Sequence, residues 1–162
     1  MLLVRLGVLA SCLLIARGTA AQPIEGYVAV GAGRWVHSTG TSGSLMVGAG
    51  GVEWLPMPYL GMAGEAGMLT SRGGDLAATL GVDARLHFRA TAPRGGWAPY
   101  AFAGYSPLRL FGLSDQGMQF GAGIDYRLST RRALRLELRD ILRRGGSVTS
   151  HYWTMRLGIT FR

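Results

Sequence analysis

The sequence contains no lysine, no asparagine and a single cysteine, and only 9 of its 162 residues are acidic. All 17 basic residues are arginines, so the formal net charge is +8. Together with abundant glycine and alanine, this composition indicates a genome-level bias before it indicates a function. The arginines are scattered along the chain instead of clustering with aromatic residues on one stripe, which argues against nucleic-acid binding. The charge alone therefore assigns no partner.

Long apolar runs are missing beyond the N-terminus, where no stretch approaches the roughly 18 continuous apolar residues of a spanning helix. At the N-terminus, Arg5 supplies a positive charge, residues 6–16 form a short apolar region and residues 19–21 are small. This order is typical of a secretory signal peptide. The sequence predicts a signal peptide over 1–21 and one domain over 22–162, and any membrane insertion of that domain must use strands.

Cys12 lies inside the predicted signal peptide, so the mature domain contains no thiol and no disulfide. The segment Leu9–Cys12 also resembles a lipoprotein lipobox, which would make Cys12 a lipidated N-terminus. The apolar run continues through residues 13–15, past the cysteine, and this favours the ordinary signal peptide. Lipidation of Cys12 stays open as the alternative.

Four aromatic residues each end a stretch in which apolar residues alternate with polar or small ones. Trp54, Phe88, Tyr126 and Phe161 recur 34, 38 and 35 residues apart. Alternation with period two indicates strands with one apolar face, and the recurrence indicates hairpin pairs. Aromatic rings at the same end of every second strand are typical of the membrane boundary of a transmembrane barrel.

Turn-forming residues divide the domain into eight strands and no helix. About ten residues, each rising roughly 3.3 Å and tilted about 40°, cover the apolar band of roughly 25 Å in an outer membrane. An even number of strands also lets the first and last pair antiparallel and close the sheet. The predicted fold is all-β, an eight-stranded antiparallel up-and-down transmembrane barrel with strands at 25–36, 44–55, 59–70, 75–89, 97–107, 117–128, 132–142 and 151–162.

The polar parity of these strands carries charges of both signs, mixed with small residues such as Gly121 and Gly123. Isolated buried charge is costly, so mixed signs on one closed face imply ion pairs that fill the barrel. The histidines are dispersed without metal-ligand spacing, and the glycine-rich segments lie inside strands, so we predict neither a metal site nor a cofactor. The predicted polar network of the lumen is Glu53, Glu65, Asp83, Arg85, His87, Asp125, Arg127, Arg135, Glu137, Arg139 and Arg156.

Alternation does not say which face points outward, and a soluble periplasmic ligand carrier of lipocalin type would show the same period with the faces exchanged. Three observations favour lipid outside. The polar face is rich in small residues that suit a narrow interior, its charges come in both signs, and the aromatics sit at strand ends. The soluble carrier stays open as an alternative.

Over the whole mature chain the sequence resembles the small eight-stranded outer-membrane barrels related to the OmpA transmembrane domain and OmpX. The last strand resembles the C-terminal signal read by the barrel-assembly machinery, matched by Arg156, Gly158 and Phe161, although this chain stops at Arg162 instead of an aromatic residue. The resemblance implies export, insertion by that machinery and a periplasmic N-terminus. Trp54, Phe88, Tyr126 and Phe161 then form the periplasmic aromatic girdle.

The same orientation places loops at 37–44, 71–75, 107–116 and 143–150 outside the cell. Arg72, Arg109, Arg143 and Arg144 lie in or beside these loops, where guanidinium groups can meet lipopolysaccharide phosphates. The expected partners are outer-membrane lipid and lipopolysaccharide, and we expect a monomer. The alternative is ordinary solvated arginines.

The predicted role is structural, in the envelope or in surface interaction, with an interior plugged by charged side chains and no enzymatic activity. One catalytic alternative is a lipid A-modifying hydrolase. The histidine-to-serine spacing of the deacylases is absent, but His37, Ser38 and Glu25 stay candidates because triads are defined by geometry.

Overall fold

A computed structural model of the chain describes residues 24–73, 76–88, 94–106, 108–110, 113–115, 117–145 and 148–162. The predicted signal peptide and Cys12 lie outside these residues. No helix in the described part of the chain is long and apolar enough to cross a membrane. The strands are β1 Ile24–His37, β2 Ser42–Met57, β3 Leu60–Ser71, β4 Leu76–His87, β5 Trp97–Tyr105, β6 Leu108–Leu110, β7 Leu113–Asp115, β8 Gly117–Arg127, β9 Arg132–Gly145 and β10 Val148–Phe161.

The strands form a closed antiparallel barrel of eight strands, as the alternation predicts. Consecutive long strands pair along the chain, and the barrel closes where β1 pairs with β10, from Gly26 opposite Phe161 to His37 opposite Ser150. Closure leaves no row of unpaired backbone groups, which is what hydrocarbon surroundings require.

The prediction of a loop over the whole of 107–116 is wrong, because this range contains the short strands β6 and β7. Val82 pairs with Tyr105, and Ala78 pairs with Arg109 in the same register, so β6 continues β5 along β4. In the same way β7 continues into β8 opposite β6 and β5. Pro107 has no N–H to donate to a ladder, yet pairing resumes after it at Leu108. β9 and β10 likewise extend beyond their predicted ends at 142 and 151.

The apolar face of the barrel points outward. Leu80, Phe120 and Leu136 are 57%, 42% and 46% exposed, whereas Arg85 and Glu137 are 0% and 3% exposed. A soluble barrel requires the opposite arrangement, because water would otherwise meet a continuous apolar wall. The predicted direction of the faces is therefore confirmed on the strands that indicated it most clearly.

Candidate functional site

Glu53 lies at the centre of one cluster of buried charges inside the barrel. One of its carboxylate oxygens accepts hydrogen bonds from Arg85 at 3.0 Å and from Arg135 at 3.4 Å, and the other lies 2.6 Å from His87 Nε2. Arg135 also donates two hydrogen bonds of 2.9 Å to the two oxygens of Asp125. Bidentate pairing of this kind satisfies both groups in a place where water is excluded.

Arg139 lies at the centre of a second cluster, further from the chain termini. Its guanidinium group is fully buried and lies 2.9 Å from Glu137, 3.3 Å from Glu65 and 3.3 Å from Asp83. Arg156 adds a 2.7 Å hydrogen bond to Glu65. Three carboxylates around one arginine repel each other when that arginine is absent, so Arg139 holds this cluster together.

Two buried tyrosines connect the clusters. The Tyr27 hydroxyl donates to Glu65 at 2.9 Å and accepts a hydrogen bond from Arg85 at 3.1 Å. The guanidinium of Arg135 lies 4.9 Å from the ring centroids of both Tyr27 and Tyr100. The two clusters thus form one network, in which aromatic faces contact the arginines between the carboxylates.

The structure buries ten of the eleven residues predicted for the lumen network and leaves Arg127 half-buried. Arg127 donates a 3.1 Å hydrogen bond to Glu25 near the chain termini, and Arg162 contacts the same carboxylate. Sequence reasoning missed Tyr27 and Tyr100, because glycine and alanine occupy both parities of β1 and β5. Among the described residues, six arginines and six carboxylates face the interior: Arg85, Arg127, Arg135, Arg139, Arg143 and Arg156 with Glu25, Glu53, Glu65, Asp83, Asp125 and Glu137.

Four aromatic rings on the inner face lie directly opposite glycines on the neighbouring strand. The absence of a side chain lets each ring lie across its partner strand. A Cβ atom on Gly123 would lie 2.4 Å from the Tyr100 ring, and one on Gly121 would lie 2.6 Å from the Phe102 ring. The four pairs are Trp35 with Gly43, Tyr27 with Gly51, Tyr100 with Gly123, and Phe102 with Gly121.

Replacing Gly123 by alanine is expected to destabilise the folded barrel by about 1–3 kcal/mol, because the new methyl group displaces the Tyr100 ring. Urea unfolding in detergent micelles measures the change. Gly64→Ala is the matched control, since a Cβ atom there meets nothing within 4 Å. Equal destabilisation of the two variants contradicts the role of the ring.

An apolar cluster fills the interior toward the end of the barrel that lies away from the chain termini. Arg143 is 3% exposed there, with its guanidinium 5.1 Å from the Tyr152 ring. Its predicted place in an external loop is therefore wrong: β9 continues to Gly145, and Arg143 keeps the inward parity of Arg139. The buried members of the cluster are Leu45, Val47, Leu69 and Ala77, with Trp35 and Tyr152 packed against them.

The other predicted loop arginines lie at this end. Arg72 and Arg144 are exposed. Arg109 pairs with Ala78 through the backbone, and its side chain lies outside the described residues. Arg72 and Arg144 are therefore accessible from outside the barrel.

The four predicted girdle residues lie at the end of the barrel that holds the chain termini. Phe88 and Phe161 are exposed, and Trp54 and Tyr126 are half-buried. Tyr126 contacts Trp97 with ring centroids 4.6 Å apart, so the exposed Trp97 extends the band. Amphipathic rings in such a band suit a membrane interface.

A histidine–aspartate contact that sequence reasoning missed lies on the outer face of the barrel. His151 Nδ1 lies 2.7 Å from Asp140 Oδ2, and the His151 ring stacks on Trp153 with centroids 6.1 Å apart. Asp140 takes the parity of Leu136 and Leu138 and so interrupts the apolar face of β9 near its end. Asp140 interrupts the apolar–polar alternation of β9, and this interruption was the sequence signal that could have revealed the contact.

The candidate catalytic triad is not assembled. Glu25 and His37 lie at opposite ends of β1, which separates them by roughly 40 Å at about 3.3 Å per residue. His37 Nδ1 lies 2.5 Å from Ser150 Oγ, whereas the Ser38 hydroxyl accepts a hydrogen bond from the Thr149 backbone. In the part of the chain that the structure describes, no three histidine, cysteine, aspartate or glutamate side chains are grouped to hold a metal ion.

No protein-family model and no curated protein sequence matches the chain. Solved structures do. Neisserial surface protein A matches with a TM-score of 0.66 at 15% identity, over 85% of this chain and 95% of that one. The N-terminal β-barrel domain of Pseudomonas aeruginosa OprF matches with a TM-score of 0.64 at 17% identity, over 88% and 98%. The chain has the fold of the small eight-stranded outer-membrane barrels.

A third similar structure is Ail, the attachment invasion locus protein of Yersinia pestis, solved in complex with the heparin analogue sucrose octasulfate. Its TM-score is 0.51 at 11% identity, over 85% of this chain and 99% of that one. At these identities the likeness concerns the fold. Together with the apolar exterior, it supports a membrane barrel.

Proposed function

We propose that the chain is an integral outer-membrane protein with a structural or surface-interaction role, not a catalytic one, and that its interior is closed to ions. The observation that carries this proposal is the charge-balanced network inside an apolar wall. An eight-stranded barrel is only wide enough for side chains to fill it. Arg139 and Glu53 form ion pairs with residues of several strands across the interior, which supports a closed lumen.

The proposed route to the membrane is export followed by insertion through the barrel-assembly machinery. The last strand supports it, since Phe161 is exposed and Gly158 lies two residues after Arg156. The barrel itself also needs that glycine, because a Cβ atom on Gly158 would lie 2.5 Å from the Val28 carbonyl oxygen. Gly158 therefore fits the C-terminal pattern proposed for the assembly machinery and is also required by the packing of the barrel.

Purified protein refolded into planar bilayers is expected to give little or no conductance, because buried ion pairs occupy the lumen. Single-channel recording checks this, with membranes treated with detergent alone as the control. Large, stable current steps contradict a closed interior.

The proposed surface interaction is with the phosphate groups of lipopolysaccharide. The exposed Arg72 and Arg144 support it, and Arg109 stays a candidate at the same end of the barrel. Bidentate guanidinium–phosphate pairing supplies the chemistry. We propose a monomer, and fractionation of cells distinguishes this protein from a periplasmic ligand carrier, which would be recovered without detergent.

A further inference from the structure

Arg34 on β1, Ser44 on β2 and Arg72, the first residue after β3, are neighbours at one end of the outer surface. Arg34 on β1 lies opposite Ser44 on β2. On the other side of β2, Leu45 lies opposite Ser71, so Arg72 comes next to Ser44. Both arginines are exposed, at the end of the barrel away from the chain termini. Neighbouring strands lie about 4.8 Å apart, so the two arginine backbones are separated by about 10 Å.

Among the described residues these two arginines have no acidic partner, in contrast to those inside the barrel. Arg34 donates a 2.6 Å hydrogen bond to the Ser42 hydroxyl. Among the described residues, no carboxylate lies within 4.0 Å of either Arg34 or Arg72, whereas Arg85, Arg135 and Arg139 are each paired with carboxylates. Two guanidinium groups flanking a hydroxyl suit an anion with several oxygens, and arginine pairs with phosphate through two parallel hydrogen bonds.

Two apolar grooves lie on the outer surface below Arg34, Ser44 and Arg72. One crosses β2, β3 and β4, has a volume of about 560 Å³ and is lined on its outer side by Gly50, Gly64, Ala66 and Leu80. The other crosses β9, β10, β1 and β2, has a volume of about 450 Å³ and is lined by side chains that include Val28, Val30 and Leu157, with Gly48 in its floor. A lipid-facing wall of large apolar residues would leave no such grooves.

Three outward-facing glycines in these grooves, Gly48, Gly50 and Gly64, are not required by contacts within the barrel. A Cβ atom on Gly48 or Gly64 would meet nothing within 4 Å, and one on Gly50 would make only contacts of 3.4 Å or more. Among the described glycines, a positive φ occurs at Gly40 and Gly95 and not here. The inner-face glycines described above have the opposite property, because a ring occupies their space. The outer glycines therefore leave room for something outside the protein.

We propose that Arg34, Ser44 and Arg72 bind the phosphate of an outer-leaflet lipid whose acyl chains lie in the two grooves. Gly50 lies six residues along β2 from Ser44, which is roughly 20 Å along the strand and roughly 15 Å of depth at a tilt of about 40°. That depth matches one leaflet of a hydrocarbon core about 30 Å thick. This inference rests on the outer-membrane insertion proposed above. Beyond the surface arginines already proposed to contact phosphate, it assigns a role to Arg34 and to the two grooves.

The test measures lipid binding to delipidated, folded protein by native mass spectrometry, with diphosphorylated lipid A and enzymatically dephosphorylated lipid A as probes. The double variant Arg34→Gln, Arg72→Gln is expected to bind lipid A at least tenfold more weakly. The matched control Arg131→Gln, Arg132→Gln removes two exposed arginines at the opposite end and is expected to bind like the unmodified protein. Dephosphorylated lipid A is expected to bind the unmodified protein as weakly as lipid A binds the first double variant.

A second pair of variants tests the grooves. A Cβ atom at Gly48 or Gly64 meets nothing within 4 Å, so Gly48→Leu and Gly64→Leu are expected to fill the grooves and to weaken binding of both lipid A forms severalfold. Unchanged binding in these variants overturns the placement of the acyl chains. Equal losses in the two double-arginine variants, or equal binding of the two lipid A forms, overturn the phosphate site.

Two further controls separate the possible failures. If inorganic phosphate displaces lipid A at the same concentration as added lipid A does, Arg34, Ser44 and Arg72 form a simple anion site and the lipid proposal is overturned. Heat-modifiable migration and insertion into vesicles are checked first for every variant. An unmodified protein that does not insert contradicts both proposals, whereas an inserted protein whose lipid binding ignores Arg34 and Arg72 contradicts this inference alone.

Discussion

Replacing Arg139 by alanine is expected to destabilise the barrel by about 3–5 kcal/mol, the usual cost of removing one member of a buried ion-pair network. The variant leaves Glu65, Asp83 and Glu137 close together without the guanidinium that lies within 3.3 Å of all three. Equilibrium unfolding in urea, with the protein refolded into phospholipid vesicles, measures the loss. Heat-modifiable migration on a gel is expected to disappear at a lower temperature.

Arg144→Ala is the control for this prediction, because Arg144 belongs to the same strand and is exposed. A surface substitution of this kind is expected to change stability by less than about 0.5 kcal/mol. If Arg139→Ala is as stable as Arg144→Ala, the carboxylates do not depend on Arg139 and the network does not hold the interior together.

A charge introduced on the outer wall is also expected to destabilise the folded barrel strongly. Leu136→Arg is expected to cost about 2–4 kcal/mol, because it places a guanidinium among acyl chains near the middle of the membrane. Leu136 is 46% exposed and lies between Ile124 and Leu157 on the neighbouring strands. Reversible unfolding from vesicles measures the change.

Val36→Arg is the matched control for depth. Val36 also faces outward, but it is the last residue but one of β1, at the rim. Arginine at such an interface costs about 0–1 kcal/mol. Equal costs at the two positions contradict a bilayer around the barrel, since water contacts both positions of a soluble protein equally.

The eight-stranded barrel was predictable because several strands alternate strictly. On β4 the series Leu80, Val82, Leu86 opposes Asp83 and Arg85, and only one side of a sheet can take each set. Closure followed from the even number of strands and the cost of open edges in lipid. The presence of ion pairs in the interior was also predictable, because charges of both signs share one parity.

The particular partners were not predictable, because they depend on distances across the barrel. Glu53 and Arg135 are 82 positions apart in the chain, and their contact arises from barrel closure and stagger. Tyr27 and Tyr100 were missed because small residues occupy both parities of their strands. Arg143 was misplaced because Gly145 and Gly146 resemble a loop, although β9 continues to Gly145.

The outer-surface features have a different explanation. Asp140 and Arg34 occupy outward positions near the rim, where the membrane tolerates charge, so alternation fails there without cost to the fold. A glycine in a strand indicates a need for space but not the side on which the space lies. Only the three-dimensional structure distinguishes Gly123, whose space holds Tyr100, from Gly64, whose space is open.

The most direct test of the claim that the apolar face points outward to lipid is nitroxide labelling of single cysteines. The cysteines are introduced at Leu80, Leu136 and Leu157 in a Cys12→Ser background, with the protein in vesicles. Collisions with oxygen and with a water-soluble nickel chelate are compared by electron paramagnetic resonance. Labels on a lipid-facing wall are expected to relax strongly with oxygen and hardly at all with the chelate. Strong relaxation by the chelate, or immobile labels that neither reagent reaches, would place these leucines in water or in a core and contradict the account.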